Sequence, residues 1–307
     1  MTKKETPMEA QLSLKGCFPP IPTPFNGQGR IAHDRLELNL EKWQTTPLAG
    51  FVVLGSNGEA VLLREPEKLA VWETARAAIQ KDRLLIAGTG CEATVETLEL
   101  TEKAARCGAD AAMVVTPHYY KGKMNHRALL AHYTFLADRS PIPIVLYNVP
   151  ANTGVDMTGE TMIALAEHPN VIGAKDSSGN IVKIGQVASV TQGRFQMLAG
   201  SGGFLLAALA VGAVGGVMGL ACVAPHLVAE IVSSFEKGDR EKARETQGRL
   251  IPVNAAVTTR FGIPGLKAAL DILGMYGGPV RSPLLSLRKP EKEELQEILR
   301  VGGLLNG

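Results

Sequence analysis

The stretch Ile144–Lys175 decides the fold: IVLYN at Ile144–Asn148, an amphipathic segment at Thr158–Glu167, then VIGAK at Val171–Lys175. Both flanking runs are short, rich in β-branched residues and apolar at consecutive positions. A strand that buries one face alternates polar with apolar residues. One that is apolar throughout is covered on both faces, as in a parallel sheet flanked by helices. The segment between them opens on Thr158, whose side-chain oxygen suits a helix N-terminus. The stretch therefore reads as strand, helix, parallel strand.

The same alternation extends in both directions. GFVVL at Gly50–Leu54, LLIAG at Leu84–Gly88 and AAMVV at Ala111–Val115 precede it, after a proline-rich start at Cys17–Phe25. Gln196–Ala199 and Gly215–Gly219 follow as weaker strands, and helical patterns fill Pro66–Ile79, Thr94–Cys107 and His126–Ala137. Eight such units spaced by roughly 20–35 residues occupy about 230 residues, close to the ~250 of a (β/α)8 barrel. A doubly wound sheet is the alternative, but no G-x-G-x-x-G follows the first strand. Beyond about residue 238 only helices are expected, at Arg240–Leu250, Pro264–Leu273 and Pro290–Leu299. The expected architecture is a (β/α)8 TIM barrel over residues 14–238 with a helical C-terminal extension over 239–307, packed on the barrel or on a neighbouring subunit.

Composition narrows the partners. The 307 residues are 45% hydrophobic, which excludes wholesale disorder. With 32 Lys+Arg against 30 Asp+Glu the net charge is +2, and no basic run of the nucleic-acid-binding type occurs. Small molecules and other copies of the chain are the expected partners. The four cysteines, Cys17, Cys91, Cys107 and Cys222, form no C-x-x-C pair and fit a reducing cytoplasm. The polar start, with Glu5 and Glu9, lacks the marks of a signal or transit peptide. One run, Phe204–Pro225, is long and apolar enough to suggest a membrane span. Six glycines from Gly202 to Gly219 punctuate it, and no Lys/Arg cluster flanks it. A short helix followed by a glycine-rich buried strand is the expected reading, with no membrane.

Barrel enzymes carry their chemistry at the C-terminal ends of the strands. Lys175 terminates an apolar run, so its amine either points into the barrel mouth or snorkels to solvent. In the mouth, desolvation disfavours the charged form and leaves a neutral amine able to attack a carbonyl. Tyr147 ends the preceding strand, ~4.8 Å away if the two strands pair. It is either a proton relay or a half-buried tyrosine with a satisfied hydroxyl. The loop Gly55-Ser56-Asn57-Gly58 suits a carboxylate or phosphate, or is an ordinary glycine turn. Glu59 reads as a structural carboxylate hydrogen-bonding that loop. Tyr119 and Tyr120 cap the mouth, reach across an interface, or merely pack. His118, His126 and His132 lack metal-ligand spacing, so no metal is expected. Cys17 reads as a buried thiol. A rival reading assigns Gly200-Ser201-Gly202-Gly203 and Gly215-Gly216 to a phosphosugar or flavin phosphate.

Five motifs in order, Gly55–Glu59, Thr116–Tyr120, Tyr147–Pro150, Gly173–Lys175 and Ala199–Gly219, span nearly the whole chain. Together the chain resembles the dihydrodipicolinate synthase/N-acetylneuraminate lyase family of pyruvate-dependent class I aldolases. That resemblance implies Lys175 as the Schiff-base lysine and Tyr147 as the proton-shuttling tyrosine. It implies Ser56 and Asn57 as the pyruvate-carboxylate loop and Tyr120 as a catalytic tyrosine lent to a neighbouring subunit. Ser177, Gly200, Ser201 and Met218 are implied at the substrate wall. It further implies a homotetramer built from tight dimers, no metal and no organic cofactor, with pyruvate and a small aldehyde or 2-oxo acid as partners.

The chain departs from the synthase pattern at two places. Ser56-Asn57 replaces a pair of threonines, and Asn152 stands where an arginine is expected to grip the carboxylate of aspartate semialdehyde. Asparagine lacks the charge and the bidentate fork. With GSNGE, YNVPANTG, KDSSG and NAAVTTRFGIPGLK, the chain looks closer to the 4-hydroxy-2-oxoglutarate aldolases, which release pyruvate and glyoxylate. Condensation with aspartate semialdehyde and sugar-acid cleavage stay open as alternatives.

Overall fold

The computed structural model describes residues 12–305. Its strands are β1 (Gly16–Phe18), β2 (Pro20–Ile21), β3 (Gly50–Val53), β4 (Leu84–Gly88), β5 (Ala111–Val115), β6 (Ile144–Asn148), β7 (Val171–Asp176), β8 (Gln196–Ala199) and β9 (Gly215–Val217). All pair in parallel within one sheet, β1 with β9 and β2 with β3. Residues 16–21 are thus one barrel strand interrupted at Pro19. Proline has no N–H for the ladder, but the Pro19 carbonyl accepts from Val52 N at 3.0 Å. The ring closes, with helices between successive strands, as the (β/α)8 barrel expected.

Alternation along the strands divides their side chains between two cores. Phe18, Val52, Ile86, Met113, Val145, Leu198 and Val217 fill the barrel interior. Phe51, Val53, Leu85, Ala112, Leu146, Met197 and Met218 pack outside it, in a cluster that includes the helix residues Trp72, Tyr133 and Ile184. Both sets leave water, which is why the strands read as unbroken apolar runs.

One irregularity in β7 aims the site. Ile144 pairs with Val171, but Val145 pairs with Gly173. β7 therefore advances two residues where β6 advances one. Strict alternation from Val171, which packs in the outer cluster, would turn Lys175 outward as well. The extra residue reverses this and sets Lys175 opposite Tyr147. Gly173 permits the close passage, since a Cβ there would lie 2.3 Å from the Gln196 carbonyl oxygen. Bulges commonly re-aim a side chain beside an active site, and a glycine within a strand is their mark in sequence.

The apolar run Phe204–Pro225 forms helix Leu205–Ala210, β9 and the short helix Leu220–Val223, and among the described residues no helix is long and apolar enough to cross a membrane. The C-terminal helices are Arg240–Ala255, Gly262–Ile272 and Lys289–Val301. The first continues past the expected end at Leu250, through Pro252, and widens into a π turn at Ala256–Arg260. Proline removes one helical hydrogen bond and crowds the preceding turn. Here burial of Val253, Asn254, Ala256 and Val257 outweighs that cost. The polar N-terminal stretch, residues 1–11, lies outside the described residues.

Candidate active site

The loop after β3 is held in a strained shape. Leu54 and Glu59 have φ of +63° and +55°, the left-handed region that costs an L-residue roughly 1–2 kcal/mol. Between them Ser56, Asn57 and Gly58 make one 3-10 turn. Such strain persists only where the surroundings over-determine it, and here Glu59 is clamped. Its Oε1 accepts from Lys267 Nζ at 2.6 Å and its Oε2 from Arg281 N at 2.7 Å. Lys267 also donates to the Pro279 carbonyl at 2.8 Å. Both members of the pair are buried. Burial pushes the Lys267 ammonium down from its ordinary pKa, and the Glu59 charge opposes that shift. Glu59 is a structural carboxylate, but it grips the C-terminal helix Gly262–Ile272 rather than its own loop.

Across the barrel mouth, Lys175 is 4% exposed, and its Nζ lies 4.0 Å from the centroid of the Tyr147 ring. The Tyr147 hydroxyl is 3.4 Å from Ser56 Oγ. Lysine, phenol and serine, from three different strand ends, thus form one chain of contacts. The next residues along, Asn148 and Asp176, also pair in register but face outward. Asn148 Nδ2 donates to Asp176 Oδ2 at 3.0 Å and to Asp156 Oδ1 at 2.7 Å. Lys183 bridges the same two carboxylates at 2.9 and 2.6 Å. This network bolts the ends of β6 and β7 together immediately behind the Tyr147–Lys175 pair.

A cavity of about 710 Å³ opens at this point. Of the ten residues expected to touch the substrate, Lys175, Tyr147, Ser56, Asn57, Asn152, Ser177, Gly200 and Ser201 line it. Two do not. Met218 follows Val217, and alternation sends it to the outer cluster while Val217 takes the place on the cavity wall. Tyr120 lies outside the cavity, 70% exposed and edge-on to Tyr119 at 5.1 Å between ring centroids. Sequence reasoning missed Thr258, Thr259 and Ile263, which the π turn and the following helix bring to the wall. Their signal was the TTRFGIPG segment, which no periodicity places near a strand end. π turns are frequent at functional sites.

The phosphate reading of the glycine loop fails on its hydrogen bonds. A phosphate cradle needs free backbone N–H groups. Here Gly200 N donates to the Asp176 carbonyl at 2.8 Å, Gly202 N to Asn254 Oδ1 at 3.1 Å and Gly203 N to Ser201 Oγ at 3.3 Å. Elsewhere, burial pushes the Cys17 thiol up to about 12, as expected of an inert core thiol. Among the described residues no cluster of three His, Cys, Asp or Glu is placed to hold a metal ion.

Residues 13–301 match the dihydrodipicolinate synthetase family. Among curated relatives, the 4-hydroxy-tetrahydrodipicolinate synthase of Methanothrix thermoacetophila is 36% identical over 295 residues, 96% of this chain and 99% of that protein. The enzyme of the same name from Cereibacter sphaeroides is 38% identical over 293 residues, covering 95% of this chain and 100% of its own. Among solved structures, a chloride-inhibited dihydrodipicolinate synthase from Acinetobacter baumannii complexed with pyruvate superposes with TM-score 0.91 at 29% identity, over 95% of this chain and 100% of that one. A prophage protein of the dihydrodipicolinic acid synthase family from E. coli K12, also in complex with pyruvate, gives TM-score 0.89 at 27% identity, over 95% and 99% of the two chains.

Proposed function

This chain belongs to the dihydrodipicolinate synthetase family, and on that premise we propose that it is a class I aldolase that handles pyruvate through an imine on Lys175. The observation that carries the reading is the contact chain from the Lys175 amine over the Tyr147 ring to Ser56 Oγ. The lone pair of the Lys175 amine attacks the C2 ketone of a 2-oxo acid, and Tyr147 passes protons as the carbinolamine loses water. In cleavage, loss of the C4 hydroxyl proton breaks C3–C4, the electron pair moves into the iminium, and an aldehyde leaves. The enamine is protonated at C3, and water hydrolyses the imine to pyruvate and free lysine. Condensation is the same path reversed, the enamine attacking an aldehyde. Ser56 and Asn57 hold the pyruvate carboxylate.

For the aldehyde partner, the names of the curated relatives favour aspartate semialdehyde, the condensation, over the cleavage of 4-hydroxy-2-oxoglutarate expected from the motifs. One observation keeps the cleavage as a second reading. Asn152 lines the cavity where the synthase pattern has an arginine, and Lys175 is the one lysine or arginine among the lining residues. The exposed Tyr120 supports a shared site between subunits of a homotetramer. The unpaired cysteines support a cytoplasmic enzyme, and the chain divides into a barrel over residues 14–238 and an extension over 239–307. The deciding experiment compares kcat/KM for pyruvate consumption with aspartate semialdehyde against that for pyruvate release from 4-hydroxy-2-oxoglutarate. A larger first value selects the synthase, and a larger second value selects the lyase. Inactivity with both discards both acceptors.

A further inference from the structure

We propose that Asn254, on the C-terminal helix Arg240–Ala255, fixes the Ser201 hydroxyl as a hydrogen-bond donor into the cavity, where it receives a carboxylate at the end of the substrate remote from the imine. The inference rests on the aldolase reading above and deepens it. Gly202 N donates to Asn254 Oδ1 at 3.1 Å. A backbone amide only donates, so this contact settles which way the Asn254 amide points. Its Nδ2 therefore faces Ser201 and donates to Oγ at 3.0 Å. Gly203 N donates to the same Oγ at 3.3 Å. A serine hydroxyl has two acceptor lone pairs and one proton, and both lone pairs are taken. The internal acceptor within reach of the proton is Asn254 Oδ1, 3.4 Å away and already engaged by Gly202. An oxyanion in the cavity is the stronger acceptor.

The direction of the substrate follows from strand order. Tyr147 on β6, with its Ser56 contact, lies on one side of Lys175 on β7. Ser201 follows β8, on the other side. A 2-oxo acid held at Ser56 with its imine at Lys175 extends toward Ser201. Ser177 stands beside it, close enough that a Cβ on Gly200 would meet Ser177 Oγ at 2.0 Å. With Lys175 committed to the imine and no other lysine or arginine on the wall, neutral donors must recognise a remote carboxylate. Gln247, two turns earlier on the same face of that helix, holds the loop independently. Its Nε2 donates to the Gly202 carbonyl at 2.7 Å, and its Oε1 accepts from Leu206 N at 3.0 Å.

The test traps imines with borohydride at increasing 2-oxoglutarate, which has a remote carboxylate, and 2-oxopentanoate, which ends in a methyl at the same chain length. The ratio of their half-saturating concentrations does not depend on the active fraction of a preparation. Wild type should favour 2-oxoglutarate. Ser201→Ala removes the donor. Asn254→Asp accepts from both Gly202 N and Ser201 Oγ, turning the serine proton away from the cavity. Each variant should shift the ratio against 2-oxoglutarate by about tenfold or more, the scale of one hydrogen bond to a charged group. An unchanged ratio in either variant, or no preference in wild type, overturns the proposal. Failure of wild type to trap pyruvate itself would instead reject the aldolase reading.

Discussion

A lysine amine 4.0 Å above a phenol ring and almost out of water is shielded on one side by a face that attracts cations. Its other side faces the cavity. In the mechanism proposed here, what Tyr147 adds to this packing is its hydroxyl. Tyr147→Phe keeps the ring beneath Lys175 and deletes only that group, whose 3.4 Å contact to Ser56 is long. Turnover should fall by roughly 10²–10⁴, the range for a lost acid–base group, while stability changes by no more than about 1 kcal/mol. Steady-state kinetics beside a denaturant titration checks both, and near-normal turnover removes Tyr147 from the chemistry. At this scale the sequence was informative about identity and weak about direction. Lys175 stood out because it ends an apolar run, yet its side chain points inward only because of the bulge at Gly173. Met218 and Val217 differ by one position, and only the register of β9 on β8 and β1 tells which of them faces the cavity.

Between elements, the buried Glu59–Lys267 pair ties the loop that carries Ser56 and Asn57 to a C-terminal helix. Taking one partner away leaves a charge in the core with no counter-charge, which costs about 3–5 kcal/mol, whereas replacing both with apolar residues is often close to neutral. Lys267→Met alone should therefore destabilise the fold by about that amount in chemical denaturation, and Glu59→Leu with Lys267→Met should recover most of it. A double variant less stable than the single would contradict this account of the clamp. None of the pairing was readable beforehand, because the partners are 208 positions apart and a lone lysine in a helical pattern gives no sign of its partner. The helix containing Pro252 was misjudged for a related reason. Proline is a local signal to stop, and the burial that overrides it is a tertiary fact.

For the molecule as a whole, the barrel was legible because every strand had to bury two faces, which leaves a continuous apolar run at each strand position. The way the ring closes was not legible. It depends on Gly16–Ile21 serving β9 with one half and β3 with the other, around a proline. The cavity combines strand-end residues, foreseen by the general rule for barrels, with a wall from the π turn at Ala256–Arg260 that the expected helix ends placed elsewhere. These parts converge on one amine. The direct measurement is intact-protein and peptide mass spectrometry after borohydride treatment with pyruvate, on wild type and Lys175→Ala. The account predicts one reduced pyruvyl group per wild-type chain, carried on Lys175, and none on the variant. Labelling that persists in Lys175→Ala, or a wild type that takes up no label at saturating pyruvate, would contradict it.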